Sequence, residues 1–334
     1  MNGKKKTVQW LLVITLTAAG LYFSLYNVEF SEVFAALRHA RWGWVGASLL
    51  CAITSFIFRA YRWRLLLDDH LSLPATFGLI NIGYLVSGIF PFRAGDPARA
   101  VAASLRAPVS TMAALSTVVV ERTLDMLTIG IVMVLTLPFV ALGGDSLLPG
   151  IIGGSAAVVA FVTLLAMARW PDKVEALARA VLERLPLGDP ERWLAPLRGI
   201  LDGLQALRSP RKGFWLAVYS TLIWAMVIIY YIGLFHALPD LAASLTGEHL
   251  LASAVLTWAT ALGMAAPTQS GLGSYHIAAQ LALTLPFAVG LELATSYSWL
   301  AWAGSYTIGV GFGAVSLLVM GVSLKEIRGV GHEG

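Results

Sequence analysis

Apolar residues in this chain fall into runs of two lengths. Long runs cover about 8–26, 42–58, 113–137, 149–168, 214–235 and 291–322, and polar or charged residues separate them. Each approaches the roughly 20 residues that a helix needs to cross a bilayer, so the pattern predicts six full crossings. Two further segments follow another plan, a short apolar arm, then Pro-x-x-x-Gly, then a second short arm. The first is LINIGYLVSGIFPFRAGDPARAVAASL, with Pro91 and Gly95, and the second is LTWATALGMAAPTQSGLGSYHIAAQLAL, with Pro267, Gly271 and Gly273. These arms are too short to span. Paired Gly/Pro-interrupted segments in the two halves of a membrane chain point to a transporter binding site, and those five residues are the expected hinges.

Charge placement orients the runs. Positive residues gather on the cytoplasmic side of a membrane. Lys4–Lys6, the cluster Arg59, Arg62 and Arg64, the basic stretch 169–212 and the tail with Lys325 and Arg328 share that side only if both broken segments return to the face they entered. The loops 138–148 and 236–249 then lie outside, and neither holds a Lys or Arg. The resulting expectation is an all-α polytopic protein with six crossings, two re-entrant hairpins and both termini cytoplasmic. The first run is read as a retained helix rather than a signal peptide, since no small-residue cleavage site follows it. Residues 1–148 form one repeat with its hairpin at about 77–108, and 149–334 the other with its hairpin at about 250–285. Three crossings per half turn the second repeat upside down. The insert at about 171–210 reads as two amphipathic helices lying on the membrane surface. Val174, Leu177, Val181, Leu182 and Leu185 share one apolar face, and Trp193, Leu197, Ile200, Leu201 and Leu204 share the other.

Composition supports the class, with 57% apolar residues, 13% charged residues and a mean hydropathy of +0.75. A soluble domain carries about 25% charged residues. The single cysteine, Cys51, excludes an intrachain disulfide or a Cys-based metal centre. Metal-ligand, nucleophile-elbow and P-loop patterns are absent from the sequence, so neither a cofactor nor an enzymatic centre is expected.

Ions inside apolar sequence carry the sharper signal. The first hairpin holds Arg93, Asp96 and Arg99, and the long run after it holds Glu121, Arg122 and Asp125. An ion near the centre of a membrane helix costs about 2.5–3.5 kcal/mol, so six facing lipid would cost on the order of 15–20 kcal/mol. They must pair, face inward or line water. Glu121 and Asp125 are four apart and share a helix face able to anchor an arginine. Asp96-Pro97 fits the start of a half-helix, with Asp as cap and Pro in the first turn. Its positive dipole end beside Arg93 and Arg99 suits a phosphate. In the second hairpin Ser274 is the corresponding cap, with Gln269, Ser270 and His276 close in sequence. The plainer reading is that the charges only lock the hairpin to the long helix. A lone histidine such as His276 is more often a satisfied buried group than a base.

The order FPFRAGDPAR, ERTLDM and APTQSGLGSYH resembles the lysylphosphatidylglycerol synthase transmembrane-region family, also described as flippase-like, over nearly the whole chain. Its most specific elements are Arg93, Gly95, Asp96 and Arg99, then Glu121, Arg122 and Asp125. Tyr275-His276 stands where such proteins commonly carry an acidic residue after Pro-x-x-x-Gly-x-Gly. The resemblance implies movement of a membrane lipid between leaflets of a bacterial inner membrane, the cargo being of anionic, polyprenyl-linked or hopanoid type. A homo-oligomer or a lipid-synthesis enzyme is the partner it suggests. Two other readings stay open: an intramembrane lipid-modifying enzyme using His276 and Asp125, and a non-catalytic partner in a lipid or glycan synthesis complex.

Overall fold

The computed structural model describes residues 3–90, 94–140 and 209–321, together with 159, 163, 166–167, 169–184, 189–191, 193–194, 197–198 and 201. The described residues are helical throughout, without strands. The chain opens with α1 (Gly3–Leu25), α2 (Phe30–Arg38), α3 (Trp42–Leu66), α4 (Leu73–Ile89), α5 (Gly95–Ser104) and α6 (Thr111–Thr136). It continues with α7 (Pro171–Leu182), α8 (Pro210–Ala237), α9 (Pro239–Ser244), α10 (His249–Ala265), α11 (Ser274–Phe287) and α12 (Leu291–Met320). Ser72, Ser110 and Ser209 start α4, α6 and α8 by accepting the amides of Ala75, Ala113 and Lys212, each satisfying a donor that a helix start leaves orphaned.

Three described helices, α3, α8 and α12, are long and apolar enough to cross a membrane. The residues from Trp10 to Leu25 make a fourth with α2, across an 81° bend that the apolar pattern does not reveal. Helix α6 is 26 residues long but carries Glu121, Arg122 and Asp125 in its middle. The expected crossing at 149–168 lies almost entirely outside the described residues. One sequence expectation is corrected. Helix α3 runs on to Leu66, so Arg59 and Arg62 are buried within it and only Arg64, paired with Asp69, is the surface charge expected of that cluster.

Two apolar clusters fill the interior, and each draws on both halves of the chain: Val45 and Ala52 of α3 join one, and Leu216 of α8 joins the other. Trp63, Leu79, Ala100 and Val118 fill the space among α3, α4, α5 and α6. Phe235, Leu256, Leu283 and Tyr297 fill that among α8, α10, α11 and α12. At one end of the bundle Lys212 meets Asp68, and Arg106 meets the Met320 carbonyl. At the other the Arg41 amide donates to the Ala237 carbonyl at 2.8 Å.

The two broken segments are antiparallel hairpins against the full length of α12. Gly78 of α4 lies against Ser316 and Met320, and Gly88 against Tyr306 and Val310, so the first hairpin starts at the C-terminal end of α12 and stops near its middle. Gln280 of α11 reaches Thr295, and Ser270 at the hairpin tip reaches Trp302, so the second starts at the N-terminal end. The tips meet midway.

Two backbone contacts make this possible. An added Cβ at Gly95 would collide with the Gly83 carbonyl oxygen, so α4 and α5 touch main chain to main chain. Gly273 has φ +85° and packs closely on Gly20 of α1, a conformation and a space that only glycine tolerates. The capping expectations shift by one or two residues. Ala94 precedes α5 and Asp96 sits in its first turn. Gly273 precedes α11, and its amide is accepted by His276 Nδ1 at 3.3 Å rather than by Ser274.

In the insert, Arg198 bonds Glu175 and Glu191, and Arg179 bonds Glu191. These arginines hold both carboxyls below the usual carboxylate range, chiefly through the Arg198 bond at Glu175 and the Arg179 bond at Glu191. Trp170, Leu177, Val181 and Trp193 remain exposed, whereas Leu194 and Leu201 are buried.

Gly95→Ala is expected to force α4 and α5 apart and destabilise the protein by about 1–3 kcal/mol or more, as overpacking does. A melting temperature equal to that of the unaltered protein would contradict this contact.

Candidate functional site

An ionic network is built from three helices. Helix α6 presents Glu121, Arg122 and Asp125, α5 adds Asp96 and Arg99, and α3 adds Arg59 and Arg62. Arg99 Nη2 meets Glu121 Oε2 at 2.8 Å. Arg62 Nη2 bridges Glu121 Oε1 at 3.2 Å and Asp125 Oδ1 at 2.9 Å, while its Nη1 donates to Ser220 Oγ at 3.1 Å. Arg59 Nη1 reaches Asp125 Oδ2 at 3.4 Å. At the outer edge Arg122 grips Asp96 with two bonds, Nε to Oδ2 at 3.0 Å and Nη2 to Oδ1 at 2.7 Å. Arg99 shares that same Oδ1 at 3.4 Å.

Two tryptophans complete the walls. The Arg99 guanidinium lies 4.8 Å from the Trp63 ring centre and that of Arg59 lies 5.6 Å from Trp224, within cation–π range. Trp63 is held in place by its Nε1 donating to Thr117 Oγ1 at 3.0 Å.

The charge count does not close. Four arginines (59, 62, 99 and 122) face three carboxylates (96, 121 and 125), so 4 − 3 leaves one positive charge in excess among the described residues. The Nε groups of Arg59, Arg62 and Arg99 are buried without a hydrogen-bond partner among those residues. Exposure is graded. The side chains of Arg62 and Glu121 are 0% and 2% exposed, but Arg122 and Asp96 are 30% and 19%. The arrangement is therefore a sealed ionic core with one open edge.

The residues singled out from sequence divide into two groups. Asp96, Arg99, Glu121, Arg122 and Asp125 come together. Gln269 and Ser270 do not join them; they close the tip contact. Gln269 Nε2 donates to the Gly88 carbonyl at 2.7 Å, and Ser270 Oγ lies 3.2 Å from the carbonyls of Ser87 and Gly88. Ser270, at φ 52°, is itself held by Trp302 Nε1 on its carbonyl at 3.0 Å. His276 is fully buried, 4.1 Å from Trp299 and 5.5 Å from Trp302 between ring centres. Asp125, by contrast, is surrounded by arginines. Among the hinges, Gly95, Gly271 and Gly273 lie at the breaks, with Gly271 at φ +73°, and Pro267 lies in the turn after α10. Pro91 and Arg93 fall outside the described residues. No group of three or more His, Cys, Asp or Glu able to hold a metal occurs among the described residues.

Arg59, Arg62 and Trp63 are the members that sequence reasoning missed. Their signal was the i, i+3 spacing of two arginines at the end of an apolar run, which puts both on one helix face.

Residues 10–322 match the family described as "Lysylphosphatidylglycerol synthase TM region". The chain belongs to this family. It is accordingly a multi-pass membrane protein. A curated relative, glycosyltransferase AglD of Haloferax volcanii, is 26% identical over 373 residues, covering 99% of this chain. This member of the lysylphosphatidylglycerol synthase TM region family spans only 58% of that relative's length. No solved structure matches it.

Removing one partner from a buried ion pair strands a charge at a cost of about 3–5 kcal/mol. Asp125→Ala should therefore destabilise strongly, and adding Arg62→Met should recover part of the loss. Denaturation of the two single variants and the double variant measures this coupling, and strict additivity would show that the two residues are independent.

Proposed function

We propose that this protein moves a lipid with an anionic head group between the leaflets of a bacterial inner membrane. The observation that carries the reading is the arginine excess among the described residues at the start of α5. An ionic core made only to lock helices together has no use for an unbalanced guanidinium, whereas a phosphate supplies the missing charge and accepts parallel N–H bonds from an arginine fork. Arg99 and Arg122 are the head-group ligands in this reading. Arg93, two residues before Gly95 in the sequence, is a third candidate ligand in this reading. Glu121 and Asp125 orient the arginines, with Arg59 and Arg62 behind.

The tip-to-tip hairpins support a transport mechanism. In our reading the chain makes six crossings with two re-entrant hairpins in an inverted repeat, and both termini are cytoplasmic. Each hairpin then closes one half of the path, and the contact of Gln269 and Ser270 with Gly88 is the central barrier. Proteins with such repeats alternate access by rocking one repeat against the other. A non-enzymatic role fits His276, which faces tryptophans and not the ions. The H. volcanii relative is named a glycosyltransferase, which supports cargo tied to glycan processing over a neutral hopanoid. The sequence has no P-loop, so movement is downhill, ion-coupled or drawn by consumption of the lipid on one side.

Two measurements test these readings. Single cysteines at 106 and 212, in a Cys51→Ala background, should be labelled from the cytoplasmic side, and one at 239 from the opposite side. Labelling of 212 and 239 from the same side would overturn the topology. In liposomes, Arg122→Lys keeps the charge but loses the fork. Exchange of a fluorescent anionic lipid should fall about tenfold or more, the equivalent of one charge-assisted hydrogen bond, with melting temperature little changed. A folded Arg122→Lys protein with full exchange would overturn the head-group assignment.

A further inference from the structure

The open edge of the ionic core is already occupied by an anion, and that anion belongs to the chain. Asp96 fills the Arg122 fork with two bonds, at 3.0 and 2.7 Å, in the parallel geometry that a phosphate would adopt. A single oxygen, Oδ1, also lies within reach of Arg99 Nη2 at 3.4 Å. A carboxylate shared by two arginines in this way imitates two oxygens of a phosphate group.

Exposure separates Asp96 from the other two carboxylates. Glu121 and Asp125 are 2% and 8% exposed, and each contacts at least two arginines. Neither can leave without stranding buried charge. Asp96 is 19% exposed and stands in the first turn of α5, where the helix dipole favours a carboxylate even without an arginine. When it leaves, Arg99 keeps Glu121 at 2.8 Å and the Trp63 ring. Arg122 loses its fork partner and retains Asp125 at 3.6 Å.

We propose that Asp96 is a built-in competitor for the head group, and that a lipid phosphate monoester enters by displacing Asp96 from the fork of Arg122. This rests on the head-group assignment made above and adds how the charge of the empty site is held down. With Asp96 swung out, four arginines face two carboxylates among the described residues, and 4 − 2 leaves two positive charges there. A phosphate monoester carries about −1.5 to −2 at neutral pH and matches that excess better than a diester. Asp96 thereby lowers the resting affinity of the site and spares the membrane an empty dicationic pocket.

A ligand that must first expel a competitor has its apparent Kd raised by the reciprocal of the open fraction. The test is binding of NBD-labelled phosphatidic acid to the purified full chain in dodecyl maltoside micelles. Asp96→Asn should tighten binding about tenfold, as expected if the fork is open about one-tenth of the time, and Arg122→Gln should weaken it. If Arg122→Gln weakens binding but Asp96→Asn leaves it unchanged or weaker, the competitor is overturned and the head-group site stands. If Arg122→Gln has no effect, the site itself falls, and the competitor with it. Hydrogen exchange on the unaltered protein gives a second readout that needs no variant. Phosphatidic acid should increase exchange in the first turn of α5 if Asp96 is displaced. Unchanged or reduced exchange there overturns the proposal.

Discussion

Charge buried in an apolar bundle has to be answered by charge, and that constraint organises the first half of this molecule. Glu121 and Asp125 on α6 oblige α3 to deliver Arg59 and Arg62, and oblige α5 to deliver Arg99, at distances of 2.8 to 3.4 Å. Three helices are thus fixed in rotation as well as in place. A hydrophobic contact of similar area would tolerate sliding; an ion pair at these distances does not. The short arm α5, ten residues long, could not hold its position on apolar burial alone.

The second half uses neutral groups for the same purpose. The tip of its hairpin is held by Gln269, Ser270 and Trp302, with Thr17 of α1 accepting the Gln269 amide at 3.0 Å. Gln280 ties the returning arm to the Ser24 carbonyl and to Thr295, each at 2.7 Å. The halves share a backbone plan but not a chemistry. One is charged and open at an edge, the other dipolar and closed. This division fits a path in which head-group recognition and gating are carried by different hairpins.

Much of this was legible in the sequence. The breaks at Gly95 and at Gly271–Gly273 were marked by residue types with few other uses, and the association of Asp96, Arg99, Glu121, Arg122 and Asp125 followed from the cost of isolating ions. What stayed hidden was hidden for physical reasons. Arg59 and Arg62 look the same whether they mark a cytoplasmic flank or a buried face, because a flank rule counts charge and not direction. The 81° turn between α1 and α2 follows from docking against the second hairpin and α12, which no local pattern records. Gln269 and Ser270 were placed at a site by nearness in sequence. Their partners, 181 and 183 residues away, are main-chain carbonyls that carry no residue signature.

That last feature bears on how the protein can vary. The Gly88 carbonyl receives Gln269, Ser270 and Tyr306, and a carbonyl is common to every amino acid. Substitution at position 88 cannot delete the acceptor; it can only crowd the neighbouring Val310, 3.0 Å from an added Cβ. The hold between the hairpins can be rewritten only from the donor side, at positions 269, 270 and 306. Drift at position 88 therefore leaves the acceptor itself in place, and the three donors to it among the described residues all come from the second half of the chain.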